Sequence, residues 1–530
     1  MFVGGVVTLL YPVLAMSVGA DDRYWYLTVP GHTGGSYLDA IAWTFGDVPS
    51  DAHSGRIATL AFLFRRFVAI TVTGVAVATA TPIVAVQAFM KLILLVVAVL
   101  TCVSFLRSLR RRAIDSPPVA LSRKSILLVT LTTTALVAVG AQAHMPFRNG
   151  WTSYAPLTYT AVIVIVGSVS LTLWLARKVA SGSRVWVVVA AAVAFILGIA
   201  LNIGYELYYV AAPLVIVTLI QQPVHDDASP RAGRRAKLIV GGTFALTFVA
   251  VFAAIRVWLA RLCSAGDCYQ GAQLQPGFEI VVTFARNLLT AVPGGARTEL
   301  RADLASLGWQ DRMPGIVEPS TLLVAGGVAI ALLLLWWRLE GSSLKGNSAS
   351  APLPESRDES RFLLVTAAVP FAAALGTAFI MALSGQAQEL MTGVGIPYRN
   401  TMVTWVMLAL TFAMLLRAAT LRWSFRPTAA LWVGVALVIT ILGGHTLAAN
   451  LSALRANRAL PSTEATDAIQ WEVVLGDPSE EGDTRRCESL ETLAQFASGA
   501  TRSAIAKGAE TSFILYHGTH YCSTGLPDLG

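Results

Sequence analysis

The chain has 530 residues, 55% of them hydrophobic and 13% charged, with a mean hydropathy of +0.63. That balance excludes an ordinary soluble globular protein and implies a polytopic membrane protein, because apolar runs repeatedly approach the roughly 20 residues that cross a hydrocarbon core as a helix. The net charge of +8 is carried mainly by short basic loops, so it points to topology and anionic lipid and excludes a nucleic-acid partner.

In chain order the sequence predicts about eleven spans, near residues 2–18, 83–106, 125–143, 159–176, 185–202, 206–221, 238–258, 320–337, 362–384, 401–416 and 428–446. The first lacks a basic leader region and is expected to be a retained helix, not a cleaved signal. Clusters of Arg and Lys run from Arg107 to Lys124, Arg177 to Arg184, Arg231 to Lys237, Arg338 to Arg361 and Arg417 to Arg426. The positive-inside rule makes those loops cytoplasmic, with the N-terminus inside and the C-terminus outside. Six lysines against 33 arginines, with abundant Ala, Val and Gly, fit a high-GC bacterium and hence its plasma membrane.

Residues 1–446 then form the membrane domain. Its first outer loop, 19–82, holds Asp21-Asp22-Arg23-Tyr24-Trp25-Tyr26 and an apolar run from Ile57 to Ala80 interrupted by Arg65-Arg66. Two guanidinium groups at mid-depth are costly, so this run is expected to lie in the plane of the outer interface. A second large outer loop spans 259–319, and the Ser-, Gly- and Pro-rich stretch within 338–361 predicts a flexible cytoplasmic connector. The tail, 447–530, turns polar. Helical segments at 462–471 and 488–507 and strands at 472–475 and 512–516 predict a small extracytoplasmic α/β domain. Cys102 lies within a span, whereas Cys263 with Cys268 and Cys487 with Cys522 form two pairs on the oxidising side, which predicts two disulfides.

The residues able to do chemistry concentrate outside. Lys91 lies about eight residues inside the second predicted span, roughly 12 Å deep at about 1.5 Å per residue, where a charge is either functional or snorkels to the interface. Arg399 and Arg148 stand at outer helix ends, as phosphate clamps or headgroup anchors. Trp25, Trp43, Trp151 and Trp309 are available for stacking on sugar faces or for anchoring at the interface. No Walker loop, dinucleotide fingerprint or Gly-x-Ser-x-Gly elbow occurs, which excludes an ATP-driven pump and disfavours nucleotide-sugar and serine acyl chemistry.

Asp21-Asp22, Gly55-Arg56-Ile57, Tyr205-Glu206-Leu207-Tyr208-Tyr209 and Tyr398-Arg399-Asn400, placed on outer loops around an apolar bundle, resemble the GT-C superfamily of polytopic glycosyltransferases that use lipid-phosphate-linked sugars. The resemblance implies a GT-C-like α-helical membrane fold, a polyprenyl-phosphate-sugar donor, a cell-envelope glycan or glycolipid acceptor, and Asp21 or Asp22 as general base. Lys91, Arg399 and Arg148 are then candidates for the donor phosphate, and Glu206 and His32 for acceptor binding or a second catalytic group. The neighbour of the base could hold a divalent cation, but no second acidic motif completes such a site, so metal and cofactor stay unknown. The competing expectation is a transporter or flippase of lipid-linked saccharides, which calls for paired halves and polar pathways absent from the hydropathy pattern.

Overall fold

The computed structural model describes all residues except 17–21, 114–115, 144–149, 224–229, 266–267, 269–272, 297–299, 301, 303–304, 306–317, 346–353, 397, 424, 497–498 and 524–530. The described chain is almost wholly helical. Helix α1 covers Phe2–Leu14, α2 Asp22–Thr33, α3 Tyr37–Gly46, α4 Val48–His53, α5 Thr59–Thr79 and α6 Ile83–Ser108. A short antiparallel hairpin, β1 Arg110–Ala113 with β2 Ser116–Ala120, leads to α7 Arg123–Gly140, α8 Ala155–Ala180 and α9 Arg184–Ile203. A 3₁₀ turn at Glu206–Val210 opens α10, Ala211–Gln221. Then come α11 Pro230–Lys237, α12 Thr243–Leu262 and α13 Glu279–Ala291. The remainder is α14 Pro319–Lys345, α15 Pro354–Thr366, α16 Ala368–Ala382, α17 Gly385–Leu390, α18 Thr401–Arg422, α19 Phe425–Arg458, α20 Pro461–Leu475, α21 Glu480–Phe496 and α22 Gly499–His517.

Ten of the described helices are long and apolar enough to cross a bilayer, as a multi-pass membrane protein requires. Nine of them coincide with predicted spans. The predicted spans 2–18 and 206–221 are shorter: among the described residues the first is helical over Phe2–Leu14, and the second begins as the 3₁₀ turn. The tenth is α5, which was expected to lie in the plane. Its length and composition suffice for a span, and Arg65 and Arg66 within it are buried, 5% and 4% exposed.

Two hydrophobic cores organise the molecule. The larger gathers the bundle, from Leu9 and Val13 on α1 through Tyr159 on α8 to Trp405 on α18. The second joins the first outer segment to the tail: Leu27 and Val29 of α2 and Val72 of α5 pack with Ile469, Val473 and Phe513 of α20 and α22. Helix α5 runs between them, with Ala58 and Ala61 near its start in the bundle core and Val68 to Ala76 in the second. Helices α2 and α22 touch closely because a Cβ on Gly31 would collide with Thr511, and Ser512 donates to the Leu27 carbonyl.

The predicted α/β tail is therefore corrected to a helical cap. Residues 472–475 and 512–516 lie inside α20 and α22, with no strand among the described tail residues. Val473 and Val474 suggest a strand, but Ala465, Ile469 and Val473 are buried at four-residue spacing, so burial follows the helical period. Nor does the tail begin at 447, since α19 continues to Arg458. Both predicted disulfides are present, Cys263–Cys268 and Cys487–Cys522, and Cys102 is buried as a free thiol. Helices α14 and α15 extend into the predicted connector, leaving its centre, 346–353, outside the described residues.

A cationic cavity as candidate functional site

A cavity of about 870 Å³ opens where the turn before α5, the 3₁₀ turn after α9, the end of α12 and the start of α18 meet. Its wall carries Arg56, Glu206, Arg256 and Arg399, so among the described lining residues three guanidinium groups face one carboxylate. Arg56 holds Glu206 in a bidentate pair, Nε to Oε1 at 2.8 Å and Nη2 to Oε2 at 3.2 Å. Both side chains are mostly buried, at 15% and 23% exposure. A carboxylate so engaged has its lone pairs committed to the fork of an arginine.

Much of the remaining wall is apolar. Phe244, Phe248 and Phe252 stack along α12 at four-residue spacing, with centroids 6.1 and 6.0 Å apart, and Arg256 continues the row with its guanidinium carbon 5.2 Å from the Phe252 ring. Phe248 and Phe252 line the cavity beside Ile380 and Met381. The space is thus amphipathic, cationic in one part and aromatic or aliphatic in the other. It fits a ligand that joins an anionic group to an apolar chain.

A ladder of cations and rings leads from this cavity to α2. The Arg399 guanidinium lies 4.5 Å from the Tyr154 ring, Arg65 lies 5.5 Å from the same ring, and Arg65 stacks on Trp25 at 4.0 Å. Arg66 then lies over Trp43 at 3.6 Å and is tied to Asp47 at 2.5 Å and to the Thr44 hydroxyl at 2.7 Å. Cation–π contacts gain strength when desolvated, which accounts for two arginines in the middle of α5. Burial and the nearby Asp47 together push the Asp51 carboxyl of α4 upward, against the opposing pull of Arg66 and Arg56.

Lys91 occupies the seam between the two cores. It is 1% exposed, and its Nζ lies 3.5 Å from the carbonyls of Leu14 and Met16 at the end of α1. The chain leaving Met16 is the one that bears Asp21. Lys91 is therefore an anchored side chain at the start of that segment and does not line the 870 Å³ cavity.

Other predicted residues separate clearly. Arg399 and Glu206 meet in the cavity, as do Gly55-Arg56-Ile57 and Tyr398. Asp21, Arg148 and Trp309 lie outside the described residues. Asp22 begins α2, one turn before Trp25. His32, in the last turn of α2, stacks on Trp43 at 4.0 Å and is not part of the cavity wall. Trp43 meets the His32 ring and the Arg66 guanidinium, and Trp151 is fully buried. Sequence reasoning missed Arg256 and Tyr154. The Phe-x3-Phe-x3-Phe-x3-Arg spacing from Phe244 to Arg256 was the available signal for the former; Tyr154 had none. Among the described residues no group of three His, Cys, Asp or Glu side chains could hold a metal ion.

Compared with protein-family models, with curated proteins and with solved structures, the chain matches none.

Proposed function

We propose that this protein is a membrane glycosyltransferase that moves a sugar from a polyprenyl-phosphate donor to a cell-envelope glycan or glycolipid acceptor at the outer face of a bacterial plasma membrane. The observation that carries this reading is the amphipathic cavity, whose three arginines suit a phosphate and whose aromatic and aliphatic wall suits an isoprenoid chain. Both disulfides, one of them bordering that cavity, support an oxidising outer location for this face.

In this reading Asp21 or Asp22 takes the proton of the acceptor hydroxyl. The acceptor oxygen bonds to the anomeric carbon as the bond from that carbon to the phosphate oxygen breaks, and polyprenyl phosphate leaves with the electron pair. Arg399, Arg256 and Arg56 stabilise the charge gathering on the departing phosphate. Lys91, at the chain that leads into Asp21, supports the first outer segment.

The test incubates purified protein with a panel of radiolabelled polyprenyl-phospho-sugars and envelope-glycan acceptors. Native protein should transfer label. Asp21→Asn or Asp22→Asn should lose about 100-fold or more, the scale of a missing general base, and Arg399→Gln should lose transfer as well. Transfer that persists in both aspartate variants would defeat the assignment of the base. Movement of a lipid-linked saccharide across proteoliposomes without transfer would favour a flippase.

A further inference from the structure

We infer that the Cys263–Cys268 disulfide is a positioning element that fixes Arg56 against the ligand phosphate. The inference rests on the phosphate-site reading of the cavity and adds a cause for its geometry.

Cys263 follows α12 directly and borders the cavity. The disulfide it forms lies flat on the backbone of Gly55: a Cβ there would stand 2.9 Å from each sulfur and 3.0 Å from the Cys268 Cβ. Gly55 also has φ +81°, a conformation that L side chains rarely adopt. One residue further, Arg56 forks onto Glu206. One residue beyond that, Ile57 packs with Ala52 and Leu259 in a small apolar cluster against the end of α12. The backbone of Arg56 is therefore held on both sides by groups from one place, the disulfide before it and Leu259 after it. On its far side, the Cys268 carbonyl accepts from Gln273 Nε2 at 2.9 Å, and Gln273, itself in the cavity wall, accepts through its carbonyl from Gly385 N at 3.0 Å. The cross-link thus ties the turn bearing Arg56 to the wall opposite.

A pair closed over so few residues contributes little to the fold by chain entropy, which grows with loop length. Its effect is local. A guanidinium held in place binds an anion without first giving up its rotamer freedom, whereas one on an untethered turn must do so.

The test uses full-length protein in detergent and two probes, geranylgeranyl phosphate and geranylgeraniol, which differ only in the phosphate. Native protein should bind the phosphate more tightly than the alcohol. Cys263→Ser/Cys268→Ser should lose up to about fivefold in affinity for the phosphate, or about 1 kcal/mol, and keep its affinity for the alcohol. That retention shows the apolar wall is intact. Gly55→Ala, which keeps both cysteines but intrudes on the sulfurs, should lose phosphate affinity in the same sense. Adding Arg56→Gln to the Cys263→Ser/Cys268→Ser protein should cause little further loss, because the two changes remove one interaction. Cys487→Ser/Cys522→Ser, which opens the other disulfide, should leave both affinities unchanged. Full retention of phosphate affinity by the Cys263→Ser/Cys268→Ser protein, or losses that simply add to those of Arg56→Gln, would overturn this inference alone. Equal binding of both probes by the native protein would overturn the phosphate site and this inference together.

Discussion

Exchanging Glu206 for glutamine should strengthen the hold of the cavity on an anion while weakening the fold. Among the described lining residues the formal charge is three arginines minus one carboxylate, or +2; Glu206→Gln makes it +3 and Arg56→Gln makes it +1. One unit charge at a separation of about 8 Å and an effective dielectric of about 20 is worth about 2 kcal/mol. Solvent and salt reduce that to about 1 kcal/mol, or about fivefold in Kd. The same substitution breaks a bidentate pair whose side chains are only 15% and 23% exposed, which should lower stability by about 1–3 kcal/mol. Affinity and stability should therefore move in opposite directions for Glu206→Gln and in the same direction for Arg56→Gln. Calorimetric titration with geranylgeranyl phosphate at about 0.05 and about 0.5 M salt, beside thermal melts, measures both. The gain in Glu206→Gln should shrink at the higher salt. A Glu206→Gln protein that binds phosphate more weakly than the native one at both salts would refute the reasoning, because the carboxylate would then be a ligand group and not a counter-charge.

Gly31→Leu should unseat the cap, since even a Cβ at that position collides with Thr511 across the contact of α2 and α22; limited proteolysis should cut the variant between α19 and α20 at protease levels that leave native protein whole. The cap should also carry an acid-sensitive component of stability. Hydrogen bonding from Ser523, aided by Arg486, holds the Asp483 carboxyl below its ordinary range. Its contribution is complete above the unfolded carboxylate value of about 4 and is lost as pH falls through the lower folded value. Asp483→Asn should make melting less dependent on pH below about 4, and an unchanged slope would refute the assignment.

The spans were legible because twenty apolar residues bounded by basic loops have few alternatives in a membrane. The disulfides were legible because four cysteines fell outside the spans in two neighbourhoods. The short motifs at Gly55, Tyr205 and Tyr398 were visible as oddities, but their meeting in one cavity was not, because it depends on contacts between residues about 150 and more positions apart, such as Arg56 with Glu206. Helix α5 was misjudged for the same reason. Arg65 and Arg66 look intolerable within an apolar run until Trp25, Trp43 and Asp47 are seen to receive them. The cap was misjudged because Glu472-Val-Val-Leu475 has strand composition, and only its packing against α21 and α22 reveals the helical period.

The second core has a consequence for how the protein is made. Leu27 and Ser512, joined by a hydrogen bond, are 485 positions apart. Helix α2 leaves the ribosome early yet lacks its packing partner until α22 has been synthesised and has reached the same side of the membrane. Trp25 stands on that waiting helix, and Arg65, Tyr154 and Arg399 follow from it to the cavity. An unfinished or C-terminally clipped chain would thus leave the second core open on the side that α22 closes, with Leu27 lacking its bond to Ser512.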